Sequence, residues 1–477
     1  MKRVLMLAYF FPPSKAAGTF RTLRFVRDLP AHGWSPTVLT VQPQTYLPIE
    51  LDPALLRKVP PTTRVHRTPA PPLHRWYKRA LASGKTLTRG GKRAATASKP
   101  DAGGAGAIPP AAGPARGIGS PLDLGYMLCR TPDIDAGWYG WALGCGLAVV
   151  ARERPQVLYA TGGPWTTFLV ARDLARLTRL PLVLDYRDPW TSNPAVVRSG
   201  NVFERLALGM ERTVVRRAGW IVANTDVLRD TLVETHGKAI GDKTVVIHNS
   251  YDAADYLTPE PPREDVFTLS YVGAMYDAHS PEPFLHAVAT LCAERADLRG
   301  RFRVRLVGAG AARVAARVRE LGVDDVVEVG EPVAHAEAVR LQRAAHALLL
   351  FLTVPSERST FVPSKLYEYI AANRPILAVT GGGALERLLR GRQLTPWIYR
   401  PEDSLGIAHG LLNLLERHER GCLPALHPSV VQSFSGEAAA QALAGVLEAA
   451  RVGVPPAGFA DPVVAPSVAA PMEVESR

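Results

Sequence analysis

The sequence predicts an α/β protein made of two Rossmann-like, doubly wound domains that face a common cleft. Segments typical of buried strands alternate with helical segments through both halves of the chain, and glycine-bearing loops follow many of the strand segments. The chain has 477 residues, which is too long for a single hydrophobic core. We therefore expect an N-terminal domain over residues 1–258, a proline-rich linker, and a C-terminal domain over residues 264–451.

The first strand of the N-terminal domain leads into the first candidate site residues. The apolar run from Val4 to Tyr9 predicts a buried parallel strand, and the loop after it contains Gly18. Because glycine lets a backbone approach a ligand closely, we expect Gly18 to lie near the cleft and Arg21 to face it. An ordinary loop glycine and a solvent-exposed arginine would produce the same pattern.

Two later strands of this domain deliver polar residues to their carboxyl ends, where open α/β sheets bind ligands. The strand predicted at 156–160 runs into a Thr-Gly-Gly-Pro-Trp loop, and the strand that begins at Leu182 runs into Asp185, Arg187 and Asp188. Asp188 is the candidate for contact with a ligand. Asp185 and Arg187 could instead form an ion pair with one another at the strand end, and Arg187 could also lie near a phosphate.

The net charge of +12 is concentrated in one segment. Residues 53–100 contain twelve Lys and Arg and no Asp or Glu, which equals the whole excess of basic residues. Around Trp76 and Tyr77, aromatic and basic residues alternate in the manner of an interfacial segment that contacts anionic lipid. Residues 83–120 predict a disordered insertion. Simple solvation of the charge is the alternative, and nucleic-acid binding is disfavoured because no nucleic-acid motif accompanies it.

Several patterns argue against other classes of protein. No run of about 18 apolar residues occurs and the N-terminus is typical of a first strand, so we expect a cytoplasmic protein without a signal peptide. Asp133 and Asp135 imitate a metal-binding Asp-x-Asp pair, but the neighbouring Pro132 and Gly137 predict a loop before a helix. We therefore expect no metal and no cofactor. Four scattered cysteines indicate neither a disulfide nor a zinc site: Cys129, Cys145, Cys292 and Cys422.

The C-terminal domain opens with a predicted strand, Phe267 to Val272, which is followed by Gly273. The next strand, Arg303 to Val307, leads into Gly308-Ala-Gly-Ala-Ala-Arg313, a near match to the dinucleotide-binding fingerprint. Arg313 occupies a position that should be glycine or alanine, and the match lies deep in the chain. The signal for NAD binding is therefore weak.

One helix of this domain combines three structural signals with a chemical one. Ser364 follows a proline and opens an apolar-periodic helix, and Pro375 ends it before a strand at 376–379. A helix that leads into a parallel strand begins at the open edge of the sheet, so the free N–H groups near Ser364 and Lys365 can hold an anion. Glu368, one turn later, can accept hydrogen bonds from ribose hydroxyls. This arrangement suits a nucleoside diphosphate, whereas a solvated glutamate and a surface lysine are the alternative.

Two motifs carry a family resemblance. Pro-Ser-Lys-Leu-Tyr-Glu-Tyr-Ile-Ala-Ala-Asn-Arg-Pro-Ile, residues 363–376, resembles the donor-site helix of family 4 retaining glycosyltransferases, which have the two-domain GT-B fold. Asp-Tyr-Arg-Asp-Pro-Trp, residues 185–190, is similar to a run in bacterial members that act on surface polysaccharides and lipid-linked glycans. The family commonly has two glutamates separated by seven residues. Glu368 matches the second, and Thr360 stands at the first.

A second departure concerns the charge that binds the diphosphate. Many family members place an arginine or lysine shortly after the first glycine of the second domain, where this chain has Ala274, Met275 and Tyr276. Lys365 is then the best candidate for that charge, and Arg358 is the next.

The resemblance implies a hexosyltransferase that moves a sugar from a nucleotide sugar to a glycan or lipid-linked acceptor with retention. It implies that Asp188, Lys365 and Glu368 are catalytic, with Arg21 and Asp188 binding the acceptor. The implied donor-binding residues are Gly18, Gly273, Glu331, Val333, Thr360, Ser364, Lys365, Leu366 and Glu368. Two alternatives stay open: a nucleotide-sugar epimerase of the same architecture, and a catalytically degenerate sugar-nucleotide-binding subunit. The expected location is the cytoplasm, at the inner face of the membrane.

Overall fold

The computed structural model describes residues 1–79, 121–193, 202–275 and 277–454. These residues form two compact units, each built on one parallel β-sheet. Unit 1 comprises residues 1–248 together with the described residues from Ala440 onward, and unit 2 comprises Asn249 to Ala439.

The sheet of unit 1 has seven strands in the order β3-β2-β1-β4-β5-β6-β7. Every neighbouring pair is parallel. The strands are β1 (Lys2–Leu7), β2 (Trp34–Val41), β3 (Arg64–Thr68), β4 (Val157–Thr161), β5 (Leu182–Tyr186), β6 (Trp220–Ala223) and β7 (Thr244–Val246). Because the order reverses between β1 and β4, the loops after these two strands flank the crevice in which doubly wound sheets bind ligands.

Helices connect the strands of unit 1. They are α1 (Ala17–Asp28), α2 (described over 73–79), α3 (Pro121–Leu128), α4 (Trp138–Glu153), α5 (Thr166–Thr178), α6 (Val202–Arg217), α7 (Asp226–His236) and α8 (Lys238–Gly241). The chain returns to unit 1 within its last described helix, α16 (Gly436–Val452).

The sheet of unit 2 has six strands in the order β10-β9-β8-β11-β12-β13, again all parallel. They are β8 (Phe267–Val272), β9 (Phe302–Val307), β10 (Val327–Gly330), β11 (Ala347–Leu352), β12 (Ile376–Thr380) and β13 (Ile398–Tyr399). The helices are α9 (Glu282–Glu294), α10 (Ala311–Glu320), α11 (His335–Ala344), α12 (Ser364–Ala372), α13 (Gly383–Gly391), α14 (Ser404–Glu419) and α15 (Pro428–Ser433). The order reverses between β8 and β11, which puts Gly273 and the segment before α12 at the ligand-binding edge.

Each unit has its own hydrophobic core. All residues of β4, β5, β11 and β12 are buried, because both faces of a doubly wound parallel sheet are covered. Such strands read as continuous apolar runs, which is why the sequence predicted them. Among the described residues, none of the helices combines the length and the apolar character that spanning a bilayer requires.

The structure confirms the expected fold class but moves the domain boundary. The change of unit comes after His248, ten residues before the predicted boundary, and the part of α16 from Ala440 belongs to unit 1 instead of the C-terminal domain. Lys2 Nζ on β1 lies 2.9 Å from Glu448 Oε2 on α16, which fixes the helix to the first sheet. The predicted insertion at 83–120 lies outside the described residues. Of the disordered tail predicted at 452–477, Val452 still belongs to α16, and the residues after 454 lie outside the described ones.

The glycines of the fingerprint-like loop pack two loops together. Gly308 has a φ of +144°, and a Cβ at this position would overlap the carbonyl oxygen of Gly273. Gly308 N donates to Gly330 O at 2.9 Å, and Gly273 N donates to Val307 O at 2.7 Å. Arg313 Nη2 donates to Met275 O at 2.8 Å. Arg313, which departs from the dinucleotide-binding fingerprint, therefore holds the loop after β8 in place.

We expect Gly308→Ala to lower the free energy of unfolding by about 1–3 kcal/mol. The added Cβ would overlap backbone atoms of Gly273, and alanine is strained at this positive φ. Gly209→Ala is the matched control: nothing lies within 4 Å of that added Cβ in helix α6, so stability should be unchanged or raised by about 0.5–1 kcal/mol. Urea unfolding of both variants measures the difference. Equal stability of the two variants would contradict the proposed packing of the loops.

Candidate functional site

The start of α12 is held rigidly at the carboxyl edge of the second sheet. The segment between β11 and α12 is fixed to the next loop by two backbone hydrogen bonds, from Ser356 N to Gly381 O at 3.2 Å and from Ala384 N to Ser359 O at 2.8 Å. Pro363 precedes the helix in an extended conformation, and no side chain caps the helix. Within the described ranges, the Ser364 and Lys365 N–H groups have no hydrogen-bond acceptor. They are therefore available to an anion.

The other end of α12 is closed by its predicted stop signal. Asn373 adopts a left-handed conformation with a φ of 52°, and its N–H donates to Tyr369 O and Ile370 O. Its side-chain oxygen accepts from Leu426 N at 2.7 Å, and its side-chain nitrogen donates to Leu426 O at 3.3 Å. The helix is thus anchored at its C-terminus, which fixes the position of its N-terminus.

Lys365 places a positive charge beside this helix start. Its side chain lies directly over Gly273, where a Cβ would overlap Lys365 Cε, and its Nζ lies 6.0 Å from the centre of the Tyr271 ring. Burial lowers the pKa of Lys365, and the nearby carboxylate of Glu368 opposes that shift. The ammonium group makes no hydrogen bond or ion pair with any residue that the structure describes. A half-buried cation that forms no ion pair with the described residues, next to N–H groups without acceptors, can bind an anion.

Glu368 is oriented by a residue that the sequence analysis missed. Gln342 on α11 is completely buried, and its Nε2 donates to Glu368 Oε2 at 2.8 Å. Tyr256 OH donates to the backbone oxygen of Glu368 at 3.0 Å. These contacts hold the half-buried carboxylate one turn inside the anion site. The one signal in the sequence was a glutamine on the apolar face of a helix, a feature too common in proteins to identify a site.

The remaining predicted donor residues have different environments. Glu331 and Val333 lie exposed in the loop after β10, and Ser364 is exposed at the helix start. Thr360 is buried in the segment before α12. The prediction for Leu366 is wrong, because its side chain is fully buried in the core and its N–H already donates to Pro363 O at 3.1 Å.

In unit 1, the sequence allowed Asp185 to pair with Arg187. In the structure its ion-pair partner is Arg21. Arg21 Nη2 lies 2.9 Å from Asp185 Oδ1, and the two side chains are 4% and 0% exposed. Asp185 also accepts from Tyr159 OH at 2.6 Å and from Thr161 Oγ1 at 3.1 Å. Arg21 further donates to the backbone oxygens of residues 247 and 248, both at 2.9 Å. The expectation that Arg21 faces the cleft and binds an acceptor is therefore wrong: it ties α1 to β5 and to the end of β7.

Arg187 and Asp188 lie at the carboxyl end of β5. Arg187 Nε donates to Gly162 O at 2.8 Å, and its guanidinium lies against Gly18, where a Cβ would overlap Nη1. Burial lowers the pKa of Arg187, and Asp188 opposes the shift. Burial raises the pKa of Asp188, and Arg187 opposes that shift. The Asp188 carboxylate has no hydrogen-bond partner among the described residues, so it is free to meet a ligand.

Asp133 and Asp135 serve local structure in the described part of the chain. Asp133 Oδ2 accepts from Thr166 N at 2.8 Å and thereby caps α5, while Asp135 Oδ1 accepts from Tyr9 OH at 2.6 Å. Burial, reinforced by Asp133, raises the pKa of Asp135 to about 7. Among the described residues, no group of three or more His, Cys, Asp and Glu side chains is arranged to hold a metal ion.

We expect Arg21→Met to lower the free energy of unfolding by about 3–5 kcal/mol, because it leaves the buried Asp185 carboxylate without a counter-charge. Arg229→Met is the control, since Arg229 pairs with Asp230 at the surface and should contribute less than about 1 kcal/mol. Urea unfolding followed by tryptophan fluorescence compares the two. A loss as small as that of the control would show that Arg21 is dispensable to the fold.

Comparison with known proteins agrees with this geometry. Residues 18–250 match the family described as "Glycosyl transferase 4-like domain", and residues 266–417 match "Glycosyl transferases group 1". A D-inositol 3-phosphate glycosyltransferase of Kineococcus radiotolerans is 33% identical over 190 residues, which is 36% of this chain and 42% of the relative. The enzyme of the same name from Streptomyces scabiei is 29% identical over 264 residues, or 50% of this chain and 56% of the relative. The chain thus spans about half the length of the curated relatives it matches.

Among solved structures, Anabaena Alr3699/HepE in complex with UDP superposes with a TM-score of 0.57 at 14% identity, covering 94% of this chain and 100% of that one. At this identity the likeness shows the fold alone. The two family matches together cover most of the chain, and the two doubly wound sheets are those of the GT-B fold. The chain therefore belongs to the family 4 glycosyltransferases of the GT-B fold.

Proposed function

We propose that the protein transfers a sugar from a nucleotide-sugar donor to a glycan or lipid-linked acceptor, with retention of the anomeric configuration, in the assembly of cell-surface polysaccharide. The observation that carries the proposal is the Lys365 ammonium, which lies over Gly273 without a hydrogen bond or ion pair to any described residue, beside the N–H groups at the start of α12. The family membership and the UDP complex of the HepE neighbour support a nucleotide-sugar donor.

In this proposal the two carboxylates and the lysine have separate roles. The diphosphate binds the N–H groups of Ser364 and Lys365 and the Lys365 ammonium, and the Glu368 carboxylate accepts hydrogen bonds from the ribose hydroxyls. Negative charge develops on the diphosphate as the sugar leaves, and these donors stabilise it without rearranging. Because the chain supplies this positive charge itself, we propose that neither a metal nor another cofactor is required.

Asp188 is proposed to orient the acceptor hydroxyl. Its carboxylate lacks a hydrogen-bond partner among the described residues, and its pKa is raised by burial, so it can accept a hydroxyl hydrogen bond in a poorly solvated site. Arg187, held by the carbonyl oxygen of Gly162, keeps a positive charge beside Asp188. We place the reaction in the cytoplasm at the inner face of the membrane, where a lipid-linked acceptor and the basic segment 53–100 can meet.

One observation favours a second candidate, a sugar-nucleotide-binding subunit without turnover. Thr360 replaces the first family glutamate, and the nearby Glu357 is engaged by Arg400 Nη2 at 2.8 Å. Turnover separates the two candidates: a transferase consumes the nucleotide sugar only when an acceptor extract is present, and a binding subunit does not consume it at all. An epimerase would convert the sugar without an acceptor.

We expect Glu368→Ala to weaken nucleoside diphosphate binding by about 1.5–3 kcal/mol, because the hydrogen bonds from the ribose hydroxyls to the charged carboxylate are lost. Its free energy of unfolding should fall by about 1–3 kcal/mol while the fold survives, because the buried Gln342 amide loses the oxygen to which it donates. Glu337→Ala, which removes an exposed partner of Arg340 on α11, is the control and should leave the affinity unchanged. Calorimetric titration with a panel of nucleoside diphosphates measures both. An unchanged affinity in Glu368→Ala would remove the proposed ribose contact.

The lowered pKa of Lys365 predicts that the affinity for a nucleoside diphosphate depends on pH. Anion binding needs the ammonium form, so affinity is full below the pKa of Lys365 and falls as the pH rises through it. Because burial lowers that pKa from 10.5, the fall begins at a lower pH than for an exposed lysine. Lys365→Arg keeps its charge, so its affinity should stay level between about pH 8 and 10. A parallel decline in this variant would assign the titration to another group.

A further inference from the structure

Three helices of unit 1 contact one another at the two ends of the segment 80–120. Tyr77 on α2 packs against Gly125 on α3, where a Cβ would overlap the tyrosine ring and hydroxyl. Lys78 Nζ lies 4.7 Å from the centre of the Tyr126 ring. The start of α4 approaches the same place, because a Cβ at Gly137 would overlap the backbone oxygen that precedes α2. The helices α2 and α3 and the start of α4 are therefore neighbours in unit 1, and we treat their exposed side chains as one surface.

This surface exposes large apolar side chains. Trp76 on α2, Leu128 on α3 and Trp141 on α4 are 54%, 52% and 56% exposed. Elsewhere in the described residues of unit 1, tryptophan is normally a core residue: Trp34 and Trp220 are at most 2% exposed. Large apolar side chains exposed on neighbouring helices are unfavourable in water and are typical of a surface that binds something.

The same surface is basic. Arg75, Lys78 and Arg79 are exposed on α2, and Arg130 follows α3. Two acidic residues in the following loop turn their carboxylates inward, since Asp133 caps α5 and Asp135 accepts from Tyr9 OH. We call the apolar and basic side chains together the aromatic–basic surface: Arg75, Trp76, Lys78, Leu128, Arg130 and Trp141.

We propose that the aromatic–basic surface docks the protein on an anionic lipid bilayer. Tryptophan and leucine side chains enter the boundary between headgroups and acyl chains, while the flanking lysine and arginine side chains pair with anionic headgroups. Each basic side chain near such a membrane contributes about 1 kcal/mol. The positive charge and the two exposed tryptophans favour an anionic bilayer over a protein partner. The proposal deepens the proposed function by naming the surface that contacts the membrane in which a lipid-linked acceptor lies. Only this connection to the acceptor rests on the proposed function.

The test uses the full-length protein and measures sedimentation with vesicles, without donor or acceptor, so that its outcome is independent of catalysis. We expect binding to phosphatidylcholine vesicles that contain phosphatidylglycerol and much weaker binding to pure phosphatidylcholine vesicles. The double variant Trp76→Ala/Trp141→Ala and the variant Lys78→Glu should each lower the partition coefficient about tenfold. Nucleoside diphosphate affinity should be unchanged in both variants, because none of the three side chains belongs to the donor site.

Leu177→Ala and Lys238→Glu are the matched controls, since both residues are exposed in unit 1 but lie on other helices. Binding by the tryptophan variant equal to that of the control would overturn the proposal. Failure of the wild-type protein to sediment with anionic vesicles would also overturn it, whether residues 80–120, a nucleic acid or a protein covers the surface instead. Loss of vesicle binding with intact nucleotide binding in Trp76→Ala/Trp141→Ala would support it.

Discussion

The candidate donor site depends on the absence of a side chain at Gly273. Because no Cβ occupies this position, Lys365 lies across the end of β8, and its ammonium group stays beside the start of α12. The loop that contains Gly273 is itself held by backbone contact with Gly308 and by Arg313. A close approach between two loops thus determines where a positive charge is presented. The helix start alone would offer N–H groups without that charge.

In each unit a cationic side chain lies over a glycine, but the two cations differ in their hydrogen bonds. In unit 1 the guanidinium of Arg187 lies over Gly18, as Lys365 lies over Gly273 in unit 2. Arg187 donates hydrogen bonds to the backbone oxygens of Gly162 and Gly163, whereas Lys365 makes no hydrogen bond or ion pair with the described residues. The first cation therefore contributes to local structure beside Asp188. The second is available to bind an anion.

Buried charge explains why some polar residues near the sheet edges are structural. Arg21 and Asp185 are almost fully inaccessible, and removing water from both charges is tolerated only because every polar atom of Asp185 and most of Arg21 have partners. Among the described residues, the Asp188 carboxylate, three residues along the chain, has no such partner. The contrast distinguishes a residue that maintains the fold from one that can bind a ligand, although both lie at the carboxyl end of the same strand.

The sequence predicted the two doubly wound domains and the limits of α12, with Lys365 and Glu368 in its first turns, because apolar runs and helix stop signals are local properties. It left Arg21, Arg187 and Asp185 unresolved, missed Gln342, and predicted a domain boundary ten residues later in the chain than the division between the two units. These points depend on tertiary contacts, since an ion-pair partner, a buried amide beside Glu368 and the return of α16 to β1 all involve residues distant in sequence. Spacing along a chain shows which residues share a helix face or a strand end. It does not show which side chains meet across a sheet.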